Sequence, residues 1–112
     1  MQVPLEIAFH NMEPSEFIEA NVRERVGKLE RYFDRIIRCS VSIEAPHRAH
    51  RQGNLYHVRI EISVPGKDLV VSRNPGDIHA HKDVYVAIRD AFAAAERQLA
   101  DHARKPSREP TP

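Results

Sequence analysis

The sequence predicts an α+β fold with the order β-α-β-β-β-α, in which two helices pack on one face of a four-stranded sheet. Apolar residues alternate with polar residues in three short segments, 5–9, 39–43 and 56–64, which is typical of strands with one dry and one wet face, and a shorter strand is predicted at 69–73. Two longer segments instead follow helical spacing. With 112 residues, the chain can form one hydrophobic core but not two.

The first strand is predicted at 5–9, with Pro4 at a sheet edge where its missing N–H does no harm. The helical period begins near Pro14, which suits a first turn, and should end near Phe33 or Asp34. The apolar positions of this first helix are Ile18, Val22, Val26, Leu29, Phe33 and Ile36. Acidic residues near its start would interact favourably with the helix dipole.

The next three strands should form a meander that starts with Cys39, Val41 and Ile43. Pro65 and Gly66 predict a turn that joins the last two strands as a hairpin. Because the first helix crosses between the first two strands, these should be parallel neighbours. A right-handed crossover puts that helix on the face that the second helix also covers.

The second helix is predicted over 81–105, with an apolar stripe and a separate row of basic side chains. The buried stripe should contain Val84, Ile88, Phe92, Ala95 and Leu99. The basic row consists of Lys82, Arg89, Arg97 and Arg104, at intervals of 7, 8 and 7 residues. Because Val86, Ala93 and Ala100 lie between these residues and add little bulk, a phosphate backbone could approach closely. A solvated face with weak exposed ion pairs explains the pattern equally well.

Composition limits the possible functions. Charged residues make up 29% and apolar residues 41%, as in ordinary soluble proteins. No window approaches the roughly 18 apolar residues of a membrane span, and the N-terminus lacks a secretory signal, so we expect a cytoplasmic protein. A single cysteine, Cys39, excludes an internal disulfide and a thiolate zinc cluster, and its place in a strand predicts burial.

The net charge of +1 predicts no general attraction to nucleic acid, so such binding would depend on local patches. One patch is the segment 46–59, which contains Arg48, Arg51 and three histidines but no acidic residue. Arg48 and Arg51 are therefore further candidates for RNA contact. Aromatic residues are few, and Tyr56, Tyr85 and Phe92 fall on or beside predicted apolar faces. This favours recognition of shape and charge over base stacking.

Three short motifs lie in register along the chain: GKLERYF at the end of the first helix, HKDVYVAI at the start of the second, and ERQL further along it. Together they make the chain resemble the ribosome hibernation promoting factor family, also called ribosome-associated inhibitors or ribosomal subunit interface proteins. The resemblance covers nearly the whole chain. The family fold has the same order of elements.

The resemblance implies a non-catalytic protein that binds rRNA in the mRNA and tRNA channel of the small ribosomal subunit and prevents translation during stress or stationary phase. The family's basic contacts carry over to Lys28, Arg31, Lys82, Arg89 and Arg97. By position alone, Arg104 and Lys105 extend them.

The ribosome-binding domain should span residues 1–105, followed by a disordered tail at 106–112. Nothing after Lys105 resembles the C-terminal dimerisation domain of the family's long forms. We therefore expect a protein that is monomeric off the ribosome and does not pair ribosomes by that route.

The alternative is a regulatory module that binds another protein, or a metal through its histidine-rich loops, without binding the ribosome. His47 with His50, or His79 with His81, could supply two imidazoles each, but a tight site needs further ligands. Solvated or phosphate-facing histidines are the simpler interpretation. Because the chain has neither a GxxxxGK nor a GxSxG motif, we expect no enzyme activity. We also expect no cofactor, metal or small-molecule substrate.

Overall fold

The computed structural model describes residues 4–45, 56–73 and 83–104, and its element order is the predicted one. The strands are β1 (Leu5–His10), β2 (Arg38–Glu44), β3 (His57–Val64) and β4 (Lys67–Arg73). The helices are α1 (Glu16–Tyr32) and α2 (Val84–Arg104). The four strands form one sheet in the order β1-β2-β3-β4, with β1 parallel to β2 and the other pairs antiparallel.

Register aligns the apolar residues of all four strands in rows across one face of the sheet. One such row contains Ile7, Val41, Ile60 and Val71. The buried residues of both helices belong to the same core, so the helices cover this face together. Cys39 is part of that core, as predicted. The predicted α+β architecture is therefore confirmed.

Side-chain caps decide where the helices begin. The Ser15 hydroxyl accepts a hydrogen bond from the backbone N–H of Ile18 at 3.3 Å, so α1 starts at Glu16. Pro14 thus precedes the cap instead of occupying the first turn, and that prediction is wrong. The Asp83 carboxylate accepts from the N–H of Tyr85 at 2.9 Å, and α2 starts at Val84 instead of His81.

The hairpin between β3 and β4 is tighter than the sequence predicted, because β4 begins at Lys67 directly after the turn. Gly66 has a φ of 80°, a conformation that glycine adopts without steric strain. Helix α1 ends at Tyr32, and the backbone N–H of Phe33 donates to the carbonyl of Leu29 at 2.8 Å. This end of α1 lies one residue before the predicted limit.

Candidate nucleic-acid interface

One flank of α1 carries a row of polar and aromatic side chains beside its buried stripe. Asn21, Arg25, Lys28 and Tyr32 follow intervals of four, three and four residues, which keep them on one side of a helix. The stripe itself contains Ile18, Val22, Val26 and Leu29, all buried. Packing of the stripe against the sheet therefore fixes where this flank points.

The corresponding flank of α2 carries Arg89, Ala93 and Glu96, again at intervals of four and three residues. Ile88 and Phe92 are buried beside them and anchor the helix to the core. Ala93 is exposed and has only a methyl group, so a ligand can approach the α2 backbone closely between Arg89 and Glu96.

The two flanks face each other across an interhelical groove of about 170 Å³. It is lined by Arg25, Lys28, Leu29 and Tyr32 of α1 and by Arg89, Phe92, Ala93 and Glu96 of α2. Leu29 and Phe92 are buried and form its floor. The groove thus brings together three cationic side chains and one carboxylate above an apolar base.

The cations of the groove are only partly neutralised. Arg25 donates from Nε to the neutral Oδ1 of Asn21 at 3.2 Å, which holds the guanidinium in place without cancelling its charge. Arg89 contacts the Asp90 carboxylate at 3.3 Å, but its side chain is 60% exposed. Lys28 forms no ion pair with any of the described residues. Such a site can bind a phosphate backbone through charge-assisted hydrogen bonds.

The structure joins some of the predicted RNA-binding residues and separates others. Lys28 and Arg89 meet in the groove. Arg31 and Arg97 are exposed but do not line it, and a helix of 3.6 residues per turn turns Arg97 about 80° away from Arg89. Arg104 is the last residue of α2. Four other candidates lie outside the described residues: Arg48, Arg51, Lys82 and Lys105.

Sequence reasoning missed two groove residues, Arg25 and Tyr32. Both share the flank of Lys28, so their spacing from it was the available signal. Tyr32 is 73% exposed, although it follows the buried stripe of α1 closely in sequence. An aromatic side chain is thus available to a ligand, which the sequence analysis did not consider.

The open face of the sheet is polar, and several of its charged groups lie beside polar partners. Arg59 forms an ion pair with Glu61 at 2.8 Å, and Ser63 donates to the Asp68 carboxylate at 3.0 Å. His57 lies 3.7 Å from Glu44. Arg59, the cation at the centre of this face, is therefore already paired with a carboxylate.

Other chemistry has little support in the described residues. Burial raises the pKa of the Cys39 thiol to about 12, with a smaller effect from the Glu30 carboxylate, so the thiol stays protonated and unreactive at neutral pH. No group of three or more histidine, cysteine or acidic side chains within 4–45, 56–73 and 83–104 could hold a metal. The histidine loops proposed for metal binding lie outside those ranges, as does the predicted tail.

None of the described helices is both long and apolar enough to cross a membrane.

The sequence model of one protein family, described as Sigma 54 modulation protein / S30EA ribosomal protein, matches residues 5–107. The chain belongs to this family. The match contains both helices and all four strands. Membership confirms the resemblance found in the sequence motifs and places the chain in a class of non-enzymatic proteins.

Two relatives illustrate the range of the family. The ribosome hibernation promoting factor of Escherichia coli K12 is 31% identical over 104 residues, which cover 90% of this chain and 94% of that protein. The ribosome hibernation promotion factor of Bacillus subtilis is 29% identical over 98 residues, covering 88% of this chain. The match covers 47% of the Bacillus protein, so the chain spans about half of that relative's length.

Two solved structures share the fold. A ribosomal subunit interface protein from Coxiella burnetii superposes with a TM-score of 0.74 at 12% identity, covering 92% of this chain and all of that one. The N-terminal domain of Thermus thermophilus Protein Y gives a TM-score of 0.64 at 20% identity, covering 91% and 99%. At these identities the likeness concerns the fold alone.

Proposed function

We propose that this protein binds the small ribosomal subunit through rRNA in the channel used by mRNA and tRNA, and so prevents translation in resting or stressed cells. Family membership and the names of the E. coli and Bacillus relatives support a role at the ribosome. The charge distribution of the helical layer supports RNA as the component contacted. The polar open face of the sheet then points away from the main contact.

The observation that carries the proposal is the meeting of Arg25, Lys28 and Arg89 in one groove between two helices. Each basic side chain that neutralises a phosphate releases condensed counterions, so a few spaced contacts give useful affinity without reading sequence. Because both helices pack on one core, the backbone positions of these residues are fixed relative to one another before binding. Within the groove, Glu96 is the one carboxylate that could compete with phosphates for these cations, because the floor is apolar.

The remaining candidates extend this surface in the proposal. Arg31 and Arg97 are exposed cations on the same two helices. Lys82, Arg104 and Lys105 continue the α2 row in sequence. Arg48 and Arg51 stay a separate prediction for the segment between β2 and β3.

The test is co-sedimentation of the full chain with isolated small subunits, large subunits and whole ribosomes. We expect pelleting with small subunits and whole ribosomes that weakens steeply as salt rises. Pelleting with large subunits alone, or none at low salt, would reject the proposal. An affinity that barely responds to salt would instead favour the protein-interaction alternative.

A second experiment tests whether the chain binds in the mRNA and tRNA channel. Small subunits loaded beforehand with mRNA and tRNA should bind the chain much more weakly than empty subunits, because the ligands would share one site. Undiminished binding to loaded subunits would show that the chain contacts another part of the small subunit.

Two substitutions localise the contact. The double variant K28Q/R89Q should weaken small-subunit binding at least about tenfold, since it removes two phosphate contacts, while R59Q on the open face serves as the matched control. All three side chains are exposed, so we expect both variants to fold. If R59Q lost binding and K28Q/R89Q did not, the ribosome contact would lie on the open face of the sheet and not in the groove.

A further inference from the structure

A second cavity opens beside the interhelical groove, where α1 ends, and its volume is about 510 Å³. Buried or partly buried apolar residues form its inner wall, among them Phe33, Ile36 and Leu99. Asp34, Arg35 and His102 supply its polar groups. We call it the terminal cavity. Its volume falls within the range of about 300–1,000 Å³ that is typical of sites for small ligands.

Tyr32 lines both the groove and the terminal cavity. The residue is 73% exposed, and its hydroxyl makes no hydrogen bond with any residue that the structure describes. A ligand backbone that crosses the three cations of the groove would therefore meet an aromatic face at one end. An aromatic side chain at the end of a basic groove is the arrangement by which proteins stack unpaired bases.

We propose that the terminal cavity receives one unpaired base of the bound RNA, and that Tyr32 stacks on that base while its backbone lies along Arg25, Lys28 and Arg89. The inference rests on the proposed function, since it specifies how the same RNA is held. It changes the expected mode of recognition. Charge and shape would be supplemented by stacking on a base, which the sequence analysis did not favour.

The polar groups of the terminal cavity favour a base over a phosphate. Asp34 is an acceptor, Arg35 is a donor, and the His102 imidazole can act as either, so the set matches the mixed donors and acceptors on a base edge. Asp34 and Arg35 together give the cavity no net cationic charge for a phosphate, which would also leave the apolar wall uncovered. The groove has the opposite character, with three cations and one acid, and suits the backbone.

The direct test measures binding of the full chain to a fluorescein-labelled single-stranded RNA, and to an abasic strand of equal length and charge at the same salt. Stacking of one base predicts that the wild-type chain prefers the RNA by roughly 5- to 150-fold. Y32A should lose most of that preference while it retains affinity for the abasic strand. Y32F, which keeps the ring, should behave like wild type.

The matched control is F17A, because Phe17 is 80% exposed on the same helix but lines neither cavity. F17A should retain the wild-type preference, and far-UV circular dichroism should show native helix content in all three variants. Equal affinity of the wild-type chain for both strands, or no measurable binding to either, would overturn the inference. An unchanged preference in Y32A would overturn it as well.

Failure of this inference can be separated from failure of the proposed function. If Y32A discriminates between the strands as wild type does and the wild-type chain still pellets with small subunits, only the base-stacking role is wrong. If the wild-type chain does not pellet with small subunits, the proposed function itself fails. Binding of the RNA over the abasic strand would then describe a single-stranded RNA site without a ribosomal role.

Discussion

The interhelical groove and the open face of the sheet carry similar side chains but arrange them differently. On the open face, Arg59 lies 2.8 Å from Glu61 on the same strand, and the two charges largely cancel. In the groove, Arg25 hydrogen-bonds a neutral amide and Lys28 has no ion-pair partner among the described residues. A net charge of +1 conceals this difference. Pairing of neighbouring charges, more than their number, decides which surface attracts a polyanion.

The largest expected difference between the two faces of the sheet concerns stability. Ile60 is fully buried under the helices, whereas Val70 of β4, which pairs with Glu61, is 42% exposed on the open face. We expect I60A to lower the free energy of unfolding by about 2–5 kcal/mol. V70A should cost less than about 1 kcal/mol, since little apolar area is lost there. Urea unfolding of both variants measures this, and similar losses would contradict the assignment of faces.

On the covered face, Cys39 should make the free energy of unfolding decrease at alkaline pH. Its pKa is raised to about 12 in the folded protein, so folding favours the neutral thiol. An unfolded chain releases this proton near the ordinary value of about 8.5, below the folded pKa. The neutral thiol therefore contributes its full stabilisation below about pH 8.5. Above that pH, the free energy of unfolding falls by up to about 1.4 kcal/mol per pH unit, until the folded thiol also ionises.

C39A isolates this effect, because the variant lacks the thiol but retains every other titrating group. Its free energy of unfolding, measured in urea across an alkaline pH series, should decline less steeply than that of wild type. The lower stability of C39A at neutral pH reflects the lost packing and does not enter the comparison of slopes. Parallel profiles for the two proteins would contradict the raised pKa.

A smaller effect is expected at the start of α1, which carries half of the groove. S15A removes the oxygen that accepts from the N–H of Ile18 and should cost about 1 kcal/mol, within the usual range of 0.5–2 for a helix cap. S72A on the open face is the matched control, because its hydroxyl is exposed and its one hydrogen bond within the described residues is to His57. If thermal denaturation showed equal losses for both variants, the cap would have no special role.

The smallest expected effect concerns the open-face ion pair itself. R59A should change the free energy of unfolding by less than about 1 kcal/mol, because both partners are 48% exposed and water screens them. E61A should behave similarly. A loss of several kcal/mol in urea unfolding would show that this face is held together by its charges.

The sequence predicted the architecture well, because the alternation of Cys39, Val41 and Ile43 and the helical stripe of Ile88, Phe92 and Leu99 each reflect burial directly. The hairpin at Gly66 also followed from local chemistry. Helix starts were less predictable, since Pro14 suits a first turn whereas Ser15 suits a cap, and only the formed hydrogen bond decides between the two starts.

The groove was predicted only in part. Lys28 and Arg89 came from the motifs, but the groove depends on how α1 and α2 pack against each other, which the period of either helix does not specify. Arg25 and Tyr32 therefore became visible only with both helices in place. The spacing of Tyr32 from Lys28 placed it on the same flank of α1, but the two cavities that it lines have no signature in the sequence.

The most direct test of the central claim is the salt dependence of small-subunit binding in R25Q/K28Q/R89Q, compared with wild type and R59Q. If the groove holds phosphates, the slope of log K against log salt should be shallower in the triple variant by about 2–3, since each contact contributes roughly 0.7–0.9. R59Q should keep the wild-type slope. Equal slopes for wild type and the triple variant, or a shallower slope in R59Q, would contradict the account.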